Sequence, residues 1–203
     1  MSDRLSNMST AFARDPQKFL QQAIEDWGGK EDYWVFGYAS LIWRPEFEFA
    51  ERREAKVYGW HRALKMWSRT NRGTLEFPGL VCAMLPGGSC QGAVFRIPAE
   101  QGMETLKALW SREMPRATYD PKWLTCRTPQ GEVKALAFTL SRQSPGYCGT
   151  LTPEQYQHIF GEARGVYGST RDYALATYEG LKNMGIHDRS LEQVLRWAKA
   201  LDA

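Results

Sequence analysis

The sequence is poor in cysteine and histidine and lacks the motifs that build metal or nucleotide sites. Its four cysteines, Cys82, Cys90, Cys126 and Cys148, are far apart and form no Cys-x-x-Cys pair. That speaks against both a zinc site and a disulfide framework. The three histidines, His61, His158 and His187, are scattered, and no His-Glu-x-x-His, Walker loop or Gly-x-Gly-x-x-Gly occurs. Metal, nucleotide and dinucleotide chemistry thus have no support, and no cofactor is expected. No apolar run approaches the length of a membrane span. The opening MSDRLSNMSTAFARDPQ has no apolar stretch of the signal-peptide kind. The expectation is a cytoplasmic protein with free thiols. Charge is also unbiased, with 26 Lys plus Arg against 23 Asp plus Glu for a formal +3. That is too mild to imply nucleic acid or a membrane surface as partner.

What is present is core-forming material. The 203 residues are 43% apolar and include 8 Trp, 9 Tyr and 9 Phe, enough for a substantial interior. Asp15-Pro16 opens a helix running to about Trp27, where Gly28-Gly29 ends it. Residues 1–13 read as a flexible lead-in. Tyr33–Gly37 reads as a strand, followed by a turn and loop over 38–50. Arg53–Trp60 and Ala63–Ser68 alternate as strands, and 69–79 is a glycine-punctuated loop. Leu80–Leu85 and Gln91–Ile97 flank Pro86-Gly87-Gly88-Ser89, which reads as a hairpin turn. Ala99–Arg112 is helical, and a strand pair follows over 121–127 and 132–140. Helices are expected over 152–164, 170–184 and 190–202, the first opened by Thr152-Pro153-Glu154. Strands in the middle and helices at the end, with no βαβ alternation, predict an α+β fold: a small curled sheet or barrel with helices outside. Residues 1–30 form a lead-in and helix, and 31–203 one domain.

The most informative stretch is Trp34-Val35-Phe36-Gly37-Tyr38-Ala39-Ser40-Leu41-Ile42-Trp43. A buried strand that stops at a turn of small and polar residues leaves backbone N–H groups without ladder partners. Such groups can converge on a carboxylate or an oxyanion. A titratable partner is needed beside them. Met103, Leu106, Trp110 and Glu113 share one helical face by spacing, which sets Glu113 at the end of an apolar stripe. Desolvation there raises a carboxyl pKa toward the range of a general acid or base. The alternative is a glutamate paired with Arg112 or Arg116 as the helix ends.

Other candidates have plainer explanations. Arg72, in Arg69-Thr70-Asn71-Arg72-Gly73-Thr74, suits an anion, although such a loop is by default solvated. The aromatic and cationic residues from Trp60 to Arg69 resemble a stacking surface for single-stranded nucleic acid. Read as strand alternation, they give one buried face and one wet face. Ser40 has no nucleophile elbow around it and reads as a substrate-binding hydroxyl. Tyr147 supplies a phenol to a pocket or simply packs.

Taken in order, these segments resemble the ChaC-type γ-glutamylcyclotransferases. The resemblance rests on Phe36 to Trp43, Gly59-Trp60-His61-Arg62, Arg72-Gly73-Thr74 with Pro78-Gly79, Leu109 to Met114, and Pro145-Gly146-Tyr147. It continues through Gly165-Val166-Tyr167-Gly168, Asp172-Tyr173-Ala174-Leu175 and Gly185-Ile186-His187-Asp188. It implies a small mixed β-barrel with flanking helices, and cofactor-free cleavage of glutathione to 5-oxoproline and cysteinylglycine. Other γ-glutamyl peptides or amines, or a non-catalytic binding or regulatory role on the same scaffold, are the alternatives. By the same resemblance, Glu113 is the catalytic acid/base and Gly37, Tyr38, Ala39, Ser40, Leu41 and Ile42 hold the γ-glutamyl group. Arg72 and Tyr147 are the further candidates for binding the substrate. The family's Gly-Tyr-Gly-Ser is here Gly37-Tyr38-Ala39-Ser40. An alanine at 39 would be strained only if φ there were positive.

Overall fold

The computed structural model describes residues 14–201; the expected lead-in over 1–13 lies outside the described residues. Helix α1 (Pro16–Trp27) starts where the Asp15 side chain accepts from Gln17 N–H and ends at Gly28 in the left-handed conformation. Strand β1 (Tyr33–Gly37) leads into a four-residue helix α2 (Ser40–Trp43). Two long strands, β2 (Glu51–Ser68) and β3 (Gly79–Ile97), pair antiparallel along their whole length. Helix α3 (Ala99–Glu113) and the hairpin β4 (Asp120–Thr128) and β5 (Gly131–Thr139) follow. The strands close a barrel in the order β1-β3-β2-β4-β5, and β5 returns to β1 in parallel through Trp34 and Ala135. The last quarter is helix α4 (Pro153–Glu162), a small ribbon β6 (Arg164–Gly165) and β7 (Gly168–Ser169), then helices α5 (Thr170–Lys182) and α6 (Arg189–Trp197). Capping boxes start α4 at Thr152 and α5 at Ser169. This is the expected α+β barrel with helices outside.

One expectation is corrected. Pro86-Gly87-Gly88-Ser89 is not a hairpin turn but a corner within β3. Tyr58 pairs with Ser89 and Trp60 with Pro86, so Gly59 faces the pair Gly87-Gly88. All three glycines have positive φ, +81°, +103° and +73°, which bends both strands together without breaking the ladder. The corner also moves the strand's faces by one residue. Before it the buried residues of β2 are Ala55 and Val57; after it they are Arg62, Leu64, Met66 and Ser68.

Two apolar clusters fill the molecule. One joins Phe36, Leu80, Met84 and Val94 to the helices α4, α5 and α6. The other joins Val35, Leu85, Ile97 and Leu136 to α1 and α3, with Trp27 against Tyr33. Helix α1 docks on α3 through Trp110, whose indole N–H donates to the Pro16 carbonyl at 2.7 Å. Gly102 allows the approach, since a Cβ there would meet the Trp27 ring at 2.5 Å. The buried face of α3 is Gly102, Thr105, Leu106, Leu109 and Trp110. Met103, expected on that face, stands at its rim and is 37% exposed.

Candidate active site

A cleft opens where β1 leaves the barrel. It is lined by Tyr38, Ala39, Ser40, Leu41, Cys82, Glu113, Tyr119, Phe138 and Tyr173. β1 ends because Gly37 is the last residue paired with β3, opposite Ala93. Gly37 must be glycine for space, since a Cβ there would sit 2.9 Å from the Phe95 ring and 3.0 Å from Leu41 Cβ. The chain then turns into α2, closed by Ile42 N–H to Ala39 O at 2.9 Å and Arg44 N–H to Ser40 O at 2.7 Å. The N–H groups of Ala39, Ser40 and Leu41 donate to no acceptor among the described residues. Ala39 has φ −146°, so this position does not need glycine's freedom.

Glu113 meets this segment from the other side. One turn beyond the buried Leu109 and Trp110, it lies at the cleft with 16% of its side chain exposed. Burial raises its carboxyl pKa; the charge and hydrogen bond of Arg112, whose Nε lies 3.1 Å from Glu113 Oε1, hold it down in part, and Glu46 pushes it up. The expected desolvation and the alternative ion pair therefore coexist, and burial outweighs the pair. Arg112 spends its other nitrogens on the loop: Nη1 donates to the Arg44 and Pro45 carbonyls and to Glu46, and Nη2 to Ser40 Oγ at 3.2 Å.

The remaining walls are polar but neutral. Tyr38 Oη donates to Phe138 O at 2.9 Å, and Tyr173 Oη accepts from Cys82 N–H at 3.1 Å. Burial lifts the phenols of Tyr38, Tyr119 and Tyr173 well above their ordinary value, so all three stay protonated at neutral pH. The Cys82 thiol is pushed up by burial to about 12, so it is no thiolate nucleophile. Glu113 is the carboxyl among the residues lining the cleft, and burial moves its pKa upward.

Five of the expected site residues line the cleft together: Tyr38, Ala39, Ser40, Leu41 and Glu113. Four do not. Gly37 lies beneath the loop, and Ile42 is packed in the core. Arg72 is 9% exposed and stands behind Tyr173, with its guanidinium 5.3 Å from that ring and donating to the Tyr167 carbonyl. Tyr147 bridges to Met66 and packs half-buried against the α1–α3 side. The glycines near Arg72 are there for a backbone crossing, since a Cβ on Gly73 would sit 2.0 Å from Gly79 N. Tyr119, Phe138 and Cys82 carried no signal in the sequence. Tyr173 lay in a segment of the resemblance that assigned it no role.

The sequence matches the ChaC-like protein family over residues 33–201. It is 32% identical over 169 residues to the glutathione-specific gamma-glutamylcyclotransferase of Escherichia coli K12, covering 83% of this chain and 73% of that one. To the Rattus norvegicus protein named glutathione-specific gamma-glutamylcyclotransferase 1 it is 31% identical, covering 89% and 84%. A solved yeast γ-glutamyl cyclotransferase specific to glutathione superposes with a TM-score of 0.76 at 20% identity, over 84% of this chain and 96% of that one. That structure bears on the fold, and the sequence match covers the barrel, the cleft and the C-terminal helices: the chain belongs to the ChaC-like protein family.

Proposed function

We propose that this protein is a glutathione-specific γ-glutamylcyclotransferase, with Glu113 as its acid/base. The observation that carries the reading is a desolvated carboxyl in the same cleft as three successive residues whose N–H groups have no acceptor among the described residues. The reaction needs those two things. The α-ammonium of the γ-glutamyl group must lose a proton before it can attack, and the carbonyl oxygen must be stabilised as it takes charge. Glu113 accepts the ammonium proton. The freed amine bonds to the γ-carbonyl carbon and closes a five-membered ring, and the carbonyl electron pair moves onto oxygen. As the intermediate collapses, the bond to the cysteinyl nitrogen breaks. Glu113 returns its proton there, then takes the second proton from the ring nitrogen and passes it to the freed amine, releasing 5-oxoproline and cysteinylglycine with its amine as ammonium. A base of this kind contributes about 10²–10⁴-fold, and one oxyanion donor about 10²–10³-fold.

The neutral tyrosines complete the cleft without competing for protons. The N–H groups of Ala39, Ser40 and Leu41 hold either the oxyanion or the α-carboxylate. The enclosing walls fold the flexible substrate so that amine meets carbonyl. In this reading Arg72 backs the Tyr173 wall, and Tyr147 supports the end of β2. The relatives named for glutathione support the substrate choice. Cys82, Cys90 and Cys126 are buried free thiols, which fits a reducing cytoplasm. No helix among the described residues is long and apolar enough to cross a membrane.

The test is to incubate purified protein with reduced glutathione and follow 5-oxoproline and cysteinylglycine by mass spectrometry, with E113Q alongside. Both products from wild type and neither from E113Q are expected. Products from both proteins would remove Glu113 from the role. Parallel runs on γ-glutamyl dipeptides measure how strictly glutathione is required.

A further inference from the structure

Arg62 is a charged residue in a place the strand pattern does not predict. Its side chain is 3% exposed, well inside the molecule. Nε and Nη2 both bind Asp188 Oδ2, at 2.7 and 2.6 Å. Nη1 donates to the Tyr38 carbonyl at 2.6 Å and to the Gln91 carbonyl at 3.0 Å. Asp188 is itself fixed, because its Oδ1 caps α6 by accepting from Leu191 N–H at 2.9 Å. The corner at Gly59 is what turns Arg62 inward.

A buried ion pair is expensive to keep, and replacing one with apolar residues is often neutral or stabilising. This one reaches into the cleft wall. Tyr38 and Ala39 share a peptide plane, the peptide is trans, and in a trans peptide C=O and N–H point in opposite directions. Arg62 draws the Tyr38 carbonyl inward. The Ala39 N–H must then point away from Arg62. Ala39 lines the cleft, and its N–H meets no acceptor among the described residues. The Tyr38 ring is tethered separately, through its hydroxyl to Phe138 O. Nothing else among the described residues donates to the Tyr38 carbonyl.

The geometry points to Arg62 as a positioning residue that, anchored by Asp188, sets the Tyr38–Ala39 peptide so that the Ala39 N–H is presented to the substrate. Its effect on turnover rests on the γ-glutamylcyclotransferase reading; its effect on the peptide does not. A lysine keeps the charge and can reach Asp188, but it lacks the fork that serves Asp188 and the carbonyl together. An asparagine at 188 can still cap α6 and leaves Arg62 on the carbonyl.

The experiment therefore uses R62K and D188N in the full chain. Each is characterised by crystal structure, melting temperature, and kcat and KM on glutathione. For R62K the expectation is a rotated 38–39 peptide and a loss of about 10²-fold in kcat/KM, the size of one lost donor. For D188N it is an unrotated peptide, kcat/KM within about threefold of wild type, and a lower melting temperature than R62K, since it breaks the buried pair. An unrotated peptide in R62K overturns the inference, as does equal loss of activity in both variants. If wild type fails to turn over glutathione, the functional reading falls, and the R62K crystal structure still decides the role of Arg62.

Discussion

Two arginine–carboxylate pairs grip one loop from opposite sides, and they behave differently. On the inside, Arg62 puts two nitrogens on Asp188 and a third on the Tyr38 carbonyl. On the rim, Arg112 gives Glu113 a single contact through Nε and uses the rest of its fork on the Arg44 and Pro45 carbonyls, Glu46 and Ser40. The inner carboxylate is doubly engaged and also caps a helix. The rim carboxylate is desolvated more than it is compensated, so its pKa rises. The same two functional groups thus give a helix-capping anchor in one place and, in the other, a carboxyl whose pKa burial raises. The two carboxylates are about equally exposed, at 12% and 16%, and differ in how many hydrogen bonds they receive.

The comparison is broken most completely at Glu113. E113Q should keep the fold and the cleft and lose about 10²–10⁴-fold in kcat, read by steady-state kinetics. It should also change stability with pH. Below the ordinary carboxylate range Glu113 is protonated in folded and unfolded chains alike. As pH rises the unfolded chain ionises first, so wild type loses stability up to the raised folded pKa. E113Q lacks that loss and should melt higher than wild type at neutral pH, with the gap closing in acid. Equal melting curves at every pH would remove the desolvation argument.

Between the two pairs the loop is anchored at Gly37. G37A drives a methyl against Phe95 and Leu41 and should cost about 1–3 kcal/mol, measured by urea denaturation. A smaller change is expected on the rim. R112M removes the cation that offsets burial at Glu113, so the acid limb of the kcat profile should move to higher pH. KM should also rise, because the Ser40 to Glu46 segment loses its tether. E46Q should move that limb the other way, provided that Arg112 stays seated. Smallest of all, A39G should leave kcat/KM within about threefold of wild type, because φ at 39 is not in the region that favours glycine.

The sequence shows some of this molecule clearly. Apolar alternation and capping residues foretell β1, α1 and the C-terminal helices, and helical spacing puts Glu113 one turn past a buried face. Local patterns mislead where the decisive partner is remote. Pro86 to Ser89 has the chemistry of a turn, and only Gly59 on the neighbouring strand makes it a corner. That same corner shifts the strand's faces, so Arg62 falls inside although simple alternation gave no reason to expect it there. Tyr119 and Tyr173 reach the cleft from segments on either side of the β4–β5 hairpin and α4. No spacing rule links them to Tyr38. Arg72 suggested anion binding because its glycine-rich loop resembles a ligand loop, whereas the glycines serve a backbone crossing with Gly79.

The 126-residue separation between Arg62 and Asp188 sets an order of events during synthesis. The loop, the barrel strands and Glu113 all leave the ribosome before Asp188 does. Until it arrives, the guanidinium behind Tyr38 lacks its counter-ion. The start of α6 thus supplies, late in the described chain, the charge that balances a cation behind a cleft loop made early in it.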